Sequence, residues 1–525
     1  MPTPFRPSLA PYETYPLFEA LQRTASRLPD KTAVIDGDRT FTFAQLDEQS
    51  DRFATALAGL DVEKGDRVGL FTPNCAEFVT AYFGILKTGA IVAPVNAAYR
   101  ARELAHQLDN SGVRVLVSHQ ATLPVVEAAR PDLPSLGTVI NVGPPIPDTL
   151  DFDRLVSGAT RRPPSVTIDP REDLAALPSS SGTTGLPKGV MLTHFNLTSN
   201  MEQTLKRPGE ASAPTEDDVL LVHLPLFHSY GMTVLMNAAI AAGATQVHMG
   251  RFDMEQFLDL VSRHRISMLF TVPPVVLGVT QVPDIASRDL SSLRLCLSGA
   301  APLSEELQSR FERLTGVPTV QGYGLTETSP VTNLDFVEPE RRRPGSIGPP
   351  VADTDEKIVD PEDGTRELGP GEIGELIIRG PQVMKGYWRN PEATAETMMG
   401  DWLLTGDMAR MDSDGYVYIV DRKKELIKYK GFQVAPAEME ALLLEHPNVA
   451  DAAVVGKPDE EAGELPKAFV VAKDPVLTAD AVMAFVAERV AGFKKIREVE
   501  FIDEIPKSPS GKILRRVLGD MERAR

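Results

Sequence analysis

Two cysteines, Cys75 and Cys296, are all that 525 residues contain. They lie far apart in apolar surroundings. A disulfide framework is excluded, and buried free thiols in a reducing compartment are expected. No uninterrupted apolar run reaches the length that spans a bilayer. Residues 1–16 lack the basic-then-apolar pattern of a secretory signal and are rich in proline. The expectation is a cytoplasmic protein with no transmembrane segment. Basic residues are also short: 54 Lys and Arg against 73 Asp and Glu give a net charge of −19. That balance argues against nucleic acid as a partner, because phosphate backbones need a basic face. It leaves small anions open, since these respond to local charge.

Hydrophobic residues make up 42% of the chain and charged residues 24%, as in globular proteins. The length exceeds one ordinary core, so more than one domain is expected. The order of elements is α/β. Residues 33–35 and 40–42 read as strands around an Asp36-Gly37 turn, and Thr42 with Gln45 forms a capping box for the next helix. Residues 68–71 and 113–117 read as strands, and 77–88 as a helix ended by Gly89. Further on, strands are expected at 218–224, 267–272, 293–297 and 317–320, with helices at 230–242 and from Ser304 to Phe311. Strands that alternate with helices predict largely parallel sheets, whose ligands collect at the carboxyl ends of the strands. From Gly345 the composition shifts to Gly, Pro and Asp with short strands such as 374–380, a β-rich subdomain. About a hundred residues beyond position 421 have the size of a compact α+β domain. Asp421-Arg422-Lys423-Lys424-Glu425 marks the boundary, a solvated basic turn or a hinge. The expected division is residues 1–421 and 422–525.

One loop stands apart: Ser179-Ser180-Ser181-Gly182-Thr183-Thr184-Gly185-Leu186-Pro187-Lys188-Gly189. Glycines let backbone amides approach a ligand, hydroxyls add donors, and Lys188 adds a point charge. The set suits a polyphosphate. It is not a Walker A loop, since no Gly-Lys-Ser/Thr closes it. A flexible linker is disfavoured because the apolar run Val190-Met191-Leu192 follows at once.

With four further stretches, this loop resembles the adenylate-forming superfamily, which includes acyl-CoA synthetases, 4-coumarate–CoA ligases, firefly luciferase and peptide-synthetase adenylation domains. The stretches are residues 321–327 (Gln-Gly-Tyr-Gly-Leu-Thr-Glu), 405–407 (Thr-Gly-Asp), 421–428 (Asp-Arg-Lys-Lys-Glu-Leu-Ile-Lys) and 506–512 (Pro-Lys-Ser-Pro-Ser-Gly-Lys). The resemblance covers nearly the whole chain. It implies a large N-terminal domain of α/β subdomains with a β-rich subdomain, and a small mobile C-terminal domain. It also implies ATP-dependent activation of a carboxylic acid to acyl-AMP with release of pyrophosphate, then transfer to CoA with release of AMP. Carboxylate and ATP are both anions, so such a site needs cations and oriented donors rather than a protein nucleophile.

The resemblance assigns residues by position. Ser180, Ser181, Gly182, Thr183, Thr184, Gly185 and Lys188 correspond to the phosphate cradle. Glu327, with Thr184, is expected at Mg²⁺, and Thr326 at the α-phosphate. Tyr323 is expected to stack on adenine, with Ala300, Gln321 and Gly322 bordering the base. Asp407 suits the two ribose hydroxyls, and Arg422 the sugar or phosphate. Lys512 is the expected catalytic cation of the first step. Lys424 is the expected hinge, about which the small domain turns. Lys428, Lys430, Gly431 and Gln433 are then expected to approach with CoA, and Arg251 to meet its 3′-phosphate. His228 corresponds to a gate between acyl pocket and thiol tunnel.

The expected acyl pocket comprises Tyr230, Gly231, Val234, Gly299, Ala300, Gly322, Gly324, Leu325, Pro330 and Val331. These are small or apolar, with no Arg or Lys to pair a second carboxylate and no Asp to pair an amine. An uncharged acid is therefore expected. A medium- or long-chain fatty acid is the first reading and an aryl acid of the 4-coumarate type the second. A carrier-protein-directed adenylating enzyme is third, and an ATPase or kinase is the alternative from another class. A homodimer is also an expectation of the resemblance.

Overall fold

Thr42 sits where chain direction is first fixed. Its hydroxyl accepts from the Gln45 amide at 3.2 Å, and the Gln45 side chain accepts from the Thr42 amide at 2.9 Å, starting the helix Phe43–Ala58. Just before it, Thr32–Asp36 and Arg39–Thr42 pair antiparallel, with Gly37 turning at φ +61°. The computed structural model describes residues 5–180, 187–207, 210, 212–430, 432–459, 462–508 and 511–523, without the side chains of Gln433 and Arg523.

Two eight-stranded sheets carry the large part. The first runs in the order Val331–Leu334, Thr319–Gly324, Leu295–Ser298, Met268–Thr271, Val219–Val222, Thr245–His248, Thr32–Asp36, Arg39–Thr42. Its inner strands are parallel, and only the two edge strands run antiparallel to their neighbours. The second is built around the parallel strands Arg67–Phe71, Ile91–Pro94, Val115–His119 and Thr138–Val142. At its far edge, Val190–Thr193 and Gly386–Tyr387 pair antiparallel. The helix Ala76–Lys87 is buried on all sides and belongs to one core shared by both sheets. That layering is the α/β architecture expected from the alternation.

A third sheet, Asp355–Val359, Gly374–Arg379, Trp402–Met411 and Met398–Met399, with Val417–Arg422 on Trp402–Met411, forms the β-rich part. A fourth, with Phe432–Val434, Ile427–Tyr429, Gly463–Ala472, Val449–Asp459 and Glu498–Phe501, has its own core around Met439, Leu443, Val454 and Val470. Sheet membership changes between Arg422 and Ile427. No described helix is long and apolar enough to cross a membrane.

Strands expected at 218–224 and 293–297 are Val219–Val222 and Leu295–Ser298, and three further elements differ for a physical reason. The strand expected from Val113 begins at Val115, because Gly112 takes φ +68° and the Val113 amide turns back to the Leu108 carbonyl at 3.0 Å. The helix expected over 230–242 is π-wound from Tyr230 to Ala238 and α-helical only over Ala239–Ala242. An apolar run does not separate the two windings, and π segments gather at functional sites. The short strand at 317–320 runs instead as Thr319–Gly324, through the glycine motif. There Gly324 pairs with Val331, and a Cβ on Gly324 would lie 1.9 Å from the Pro330 carbonyl oxygen. The backbones are closer than any side chain allows.

That contact predicts a stability difference. Gly324→Ala should lose about 1–3 kcal/mol, the usual cost of overpacking. Gly158→Ala, where an added Cβ meets nothing within 4 Å, should shift stability by less than about 1 kcal/mol. Denaturant unfolding of the two variants measures both; equal effects would contradict the close-approach account.

Candidate active site

The strands that end in small residues meet at one place. Leu295–Ser298 runs into Gly299 and Ala300, and Ala300 takes φ +66°. Thr319–Gly324 supplies Gly322 and Tyr323, and the turn Thr326–Thr328 supplies Glu327. The loop before Tyr230 supplies His228. Around these lie two joined cavities of about 490 and 670 Å³. The first holds Ser180, Lys188, His228, Tyr230, Val234, Thr326 and Glu327. The second holds Gln321 and Asp407. Ala300, Gly322, Tyr323, Gly324, Arg422 and Lys512 line both.

Lys512 comes from the small C-terminal part into this junction. Its backbone amide donates to the Ser508 hydroxyl at 3.1 Å. Its Nζ is buried and has no hydrogen-bond partner among the described residues. Burial lowers its pKa most. Arg422 and Arg515 push the same way, Glu425 and Asp407 oppose them, and the ammonium ends at about 8. His228 is pushed down to about 4 by burial and then by Lys512, so it stands as a neutral imidazole. Its Nδ1 accepts from the Tyr230 amide at 3.3 Å.

Asp407 is held from two sides. The Tyr323 hydroxyl donates to Oδ2 at 2.5 Å, and Arg422 Nε lies 3.1 Å from Oδ1. Strand pairing explains the second contact, because Asp407 and Arg422 are direct partners across the third sheet. Each carboxylate oxygen keeps a lone pair for a further donor. Glu327 Oε1 accepts from the Tyr387 hydroxyl at 2.7 Å, and Oε2 has no hydrogen-bond partner among the described residues. Lys188 Nζ lies 4.8 Å from the centre of the Tyr387 ring. Gln321 Oε1 accepts from the Leu303 amide at 2.8 Å and leaves its amide nitrogen, buried, without a described partner. No three His, Cys, Asp or Glu gather as metal ligands among the described residues.

The boundary segment is itself part of the wall. Lys423 and Lys424 line the first cavity. Lys423 Nζ reaches Glu375 at 2.6 Å, and Glu375 also accepts from the Gly406 amide at 3.1 Å. Asp421, pushed up to about 6 by burial, accepts from the Ala437 amide at 2.8 Å, at the start of the helix Pro436–Leu444. Arg515 pairs with Glu425 and Glu440.

Not every expected residue meets here. Ser181, Gly182, Thr183, Thr184, Gly185 and Gly431 lie outside the described residues, as does the Gln433 side chain. Lys428 and Lys430 are exposed on the hairpin of the small part and line neither cavity, and Arg251 is exposed as well. The acyl candidates Gly299, Leu325, Pro330 and Val331 do line the first cavity. Gly231 does not; its absent Cβ would lie 2.2 Å from the Pro225 carbonyl oxygen, so it shapes the wall from behind.

Comparison with known proteins decides the class of this site. The AMP-binding enzyme profile matches residues 21–388, and the AMP-binding enzyme C-terminal domain matches 438–512. The chain belongs to the AMP-binding enzyme family. A 4-coumarate–CoA ligase of Pinus taeda is 42% identical, over 96% of this chain and 94% of that protein. 4-Coumarate–CoA ligase 2 of Solanum tuberosum is 40% identical, over 99% and 95%. Among solved structures, an anthranilate CoA ligase in complex with anthranoyl-AMP superimposes with a TM-score of 0.90 at 32% identity, covering 97% and 98%. As a member of this adenylate-forming family, the chain is an AMP-forming acid–CoA ligase.

Three wall residues of this AMP-binding enzyme escape a reading of its motifs. Glu375 and Tyr387 hold Lys423 and Glu327, but each arrives from a strand far along the chain. The third corrects the expectation of a pocket without Arg or Lys. Arg207, 2% exposed, lines the same cavity as Val234 and Leu334 and pairs with Glu210. Burial pushes Arg207 down to about 10, which leaves it charged at neutral pH. Glu210 would rise on burial, but Arg6 and Arg207 outweigh that and hold it below the usual carboxylate range.

The state of Lys512 is directly measurable. Its ammonium should be present below pH 8 and lost above it. The rate of acylation of Nζ by a small reagent, read by peptide mass spectrometry across pH, should show a midpoint about two units below the ordinary lysine value of about 10.4. A midpoint at the ordinary value would contradict the burial described.

Proposed function

We propose that the protein activates an aryl carboxylic acid, of the size of a cinnamate, to its acyl-AMP and then to its CoA thioester. The observation that carries the reading is the first cavity itself. One space of about 490 Å³ is lined both by Lys512 and by the apolar chamber residues Tyr230, Val234, Phe270, Leu297 and Val331. Arg207 and Leu334 wall that chamber, and Arg207 is fixed by its pair with Glu210. A planar ring suits a chamber closed in this way better than a long alkyl chain does. The relatives already named, 4-coumarate and anthranilate ligases, support the same choice over the fatty acid first expected.

In the first step a carboxylate oxygen bonds to the α-phosphorus of ATP, and the bond to the pyrophosphate oxygen breaks. Both reactants are anions. Lys512 lowers the repulsion between them and offsets charge as it moves to the leaving pyrophosphate. The Ser/Gly loop, with Ser180 and Lys188, holds the outer phosphates. Asp407 accepts from the ribose hydroxyls, with Tyr323 and Arg422 fixing its orientation. Mg²⁺ would enter with ATP on Glu327. One carboxylate oxygen with no described partner fits an ion held mainly by phosphate and water oxygens. The ion would add positive charge beside the phosphates.

In the second step the CoA thiol releases its proton to solvent, its sulfur bonds to the acyl carbon, the carbon–oxygen bond to phosphate breaks, and AMP leaves with that oxygen. In the present arrangement Lys512 occupies the junction, while Lys428 and Lys430 face solvent. Rotation about Lys424, between residues 1–421 and 422–525, would withdraw Lys512 and bring Lys428, Lys430, Gly431 and Gln433 inward. Arg251 is then available to the 3′-phosphate of CoA. Neutral His228 lies between acyl chamber and reacting centre as a gate that adds no charge of its own.

The test is a panel of acids with ATP and CoA, following AMP and pyrophosphate. Aryl propenoic acids should exceed octanoate, palmitate and malonate in kcat/KM by at least about tenfold, the scale of a pocket-shape preference. A fatty acid as best substrate would overturn the aryl reading. Formation of ADP or phosphate in place of AMP would overturn the reaction.

A further inference from the structure

Resting on the aryl-acid reading, we infer that Arg207 reads the distal end of the acid, and that Glu210 and Arg6 set its charge so that it accepts a neutral oxygen substituent and disfavours a carboxylate. Nothing in the motifs assigns these three residues a task.

The placement comes from the elements around the cavity. The helix Tyr230–Ala238 begins beside His228 and ends at Ala238, and both ends line the first cavity. Arg207 follows the helix His194–Leu205, which packs along that helix. Thr204, Arg207, Ala238 and Leu334 therefore form the end away from Lys512 and Glu327.

The hydrogen-bond inventory then defines what the guanidinium has left. Nε donates to the Thr204 carbonyl at 2.9 Å. Nη1 donates to the Ser212 hydroxyl at 2.6 Å and to Glu210 at 3.3 Å. Nη2 donates to the Ser212 carbonyl at 2.7 Å. Five N–H groups are present and these contacts use four. One N–H of Nη2 has no acceptor among the described residues, and Arg207 lines the cavity. A buried donor of this kind gains from an acceptor and loses when none comes.

The charge is settled by the neighbours. Glu210, its side chain 3% exposed, takes Arg6 on both oxygens, Nε at 2.7 Å and Nη2 at 3.1 Å, and shares the second oxygen with Arg207 Nη1 at 3.3 Å. Arg6 in turn donates to the carbonyls of Leu334, Pro349 and Pro350 at 2.9, 3.1 and 2.8 Å, so the N-terminal segment is stitched to the cavity wall. Glu338 acts on Arg207 as well, so Arg207 and Arg6 already face two carboxylates, Glu210 and Glu338. A phenol or ether oxygen can accept the spare N–H of Arg207 at no cost in charge. A distal carboxylate would bring a further anion beside Glu210. Arg207 is thus a specificity-determining residue, and Arg6 a positioning residue that acts through Glu210.

The experiment compares kcat/KM for 4-hydroxycinnamate, unsubstituted cinnamate and 4-carboxycinnamate. The wild-type protein should prefer the hydroxyl acid to cinnamate by about tenfold or more, the scale of one hydrogen bond to a charged donor, and should rank the carboxy acid last. Arg207→Met should bring the hydroxyl-to-cinnamate ratio to within about twofold, whatever the fall in overall rate. Glu210→Gln should raise 4-carboxycinnamate relative to cinnamate. A wild-type ratio below about twofold would overturn the inference even if neither variant folds. So would a ratio unchanged in folded Arg207→Met. No thioester from any aryl acid would instead overturn the reading on which it rests.

Discussion

An ammonium held out of water without a partner costs free energy, and the rest of this molecule is arranged around that cost. Lys512 is kept at the junction of two cavities by a short turn from the small domain. Arg422 and Arg515 repel it, Glu425 and Asp407 attract it, and nothing among the described residues neutralises it. A water-filled cleft would screen such a charge; a buried one leaves it effective at short range. The natural complement is an anion that arrives with the substrate. In the proposed first step two anions that must approach each other would supply the complement, and also the reason for the charge.

The remainder of the fold delivers this arrangement. The first sheet brings Gly299, Ala300, Gly322 and Tyr323 to one edge, with Gly299 and Gly322 leaving room for the Tyr230 and Leu334 side chains and Gly324 where backbones approach too closely for a side chain. The third sheet places Asp407 opposite Arg422 by strand register alone. Residues 421–425 then carry three structural contacts at once: Asp421 on the small-domain helix, Lys423 on Glu375, and Glu425 on Arg515. A segment so tied to both parts sets where Lys512 lies. If it turns, these contacts must be exchanged together, which favours two arrangements over a continuum.

Much of this was legible in the sequence because the chemistry is local. Ser180, Lys188, Tyr323, Glu327, Asp407 and Lys512 belong to short runs that resemble those of the adenylate-forming superfamily, and that resemblance, more than residue type, pointed to a task for each. The capping box at Thr42 and Gln45 was legible because it too is local. Glu375, Tyr387 and Arg207 were not, because each reaches the site through pairing or packing with distant chain. Tyr387 lies there because Gly386–Tyr387 adds to the strand after the Ser/Gly loop. The acyl chamber shows the same limit. Glycines and alanines read as room for an alkyl chain, whereas the cavity they line also takes in Arg207, from a stretch with no motif. The winding of Tyr230–Ala238 and the run of strand Thr319–Gly324 through its glycines are likewise decided by tertiary contact, which overrides local propensity.

The central claim is that Lys512 serves one step only, from one face of the small domain. Lys512→Ala separates the steps. Acyl-AMP formation, followed by pyrophosphate exchange, should fall by about a hundredfold or more, the scale of losing one preorganised charge donor. Thioester formation from synthetic acyl-AMP and CoA should stay within about tenfold of wild type, because the proposed second step would use the other face. Equal loss in both half-reactions would contradict the account.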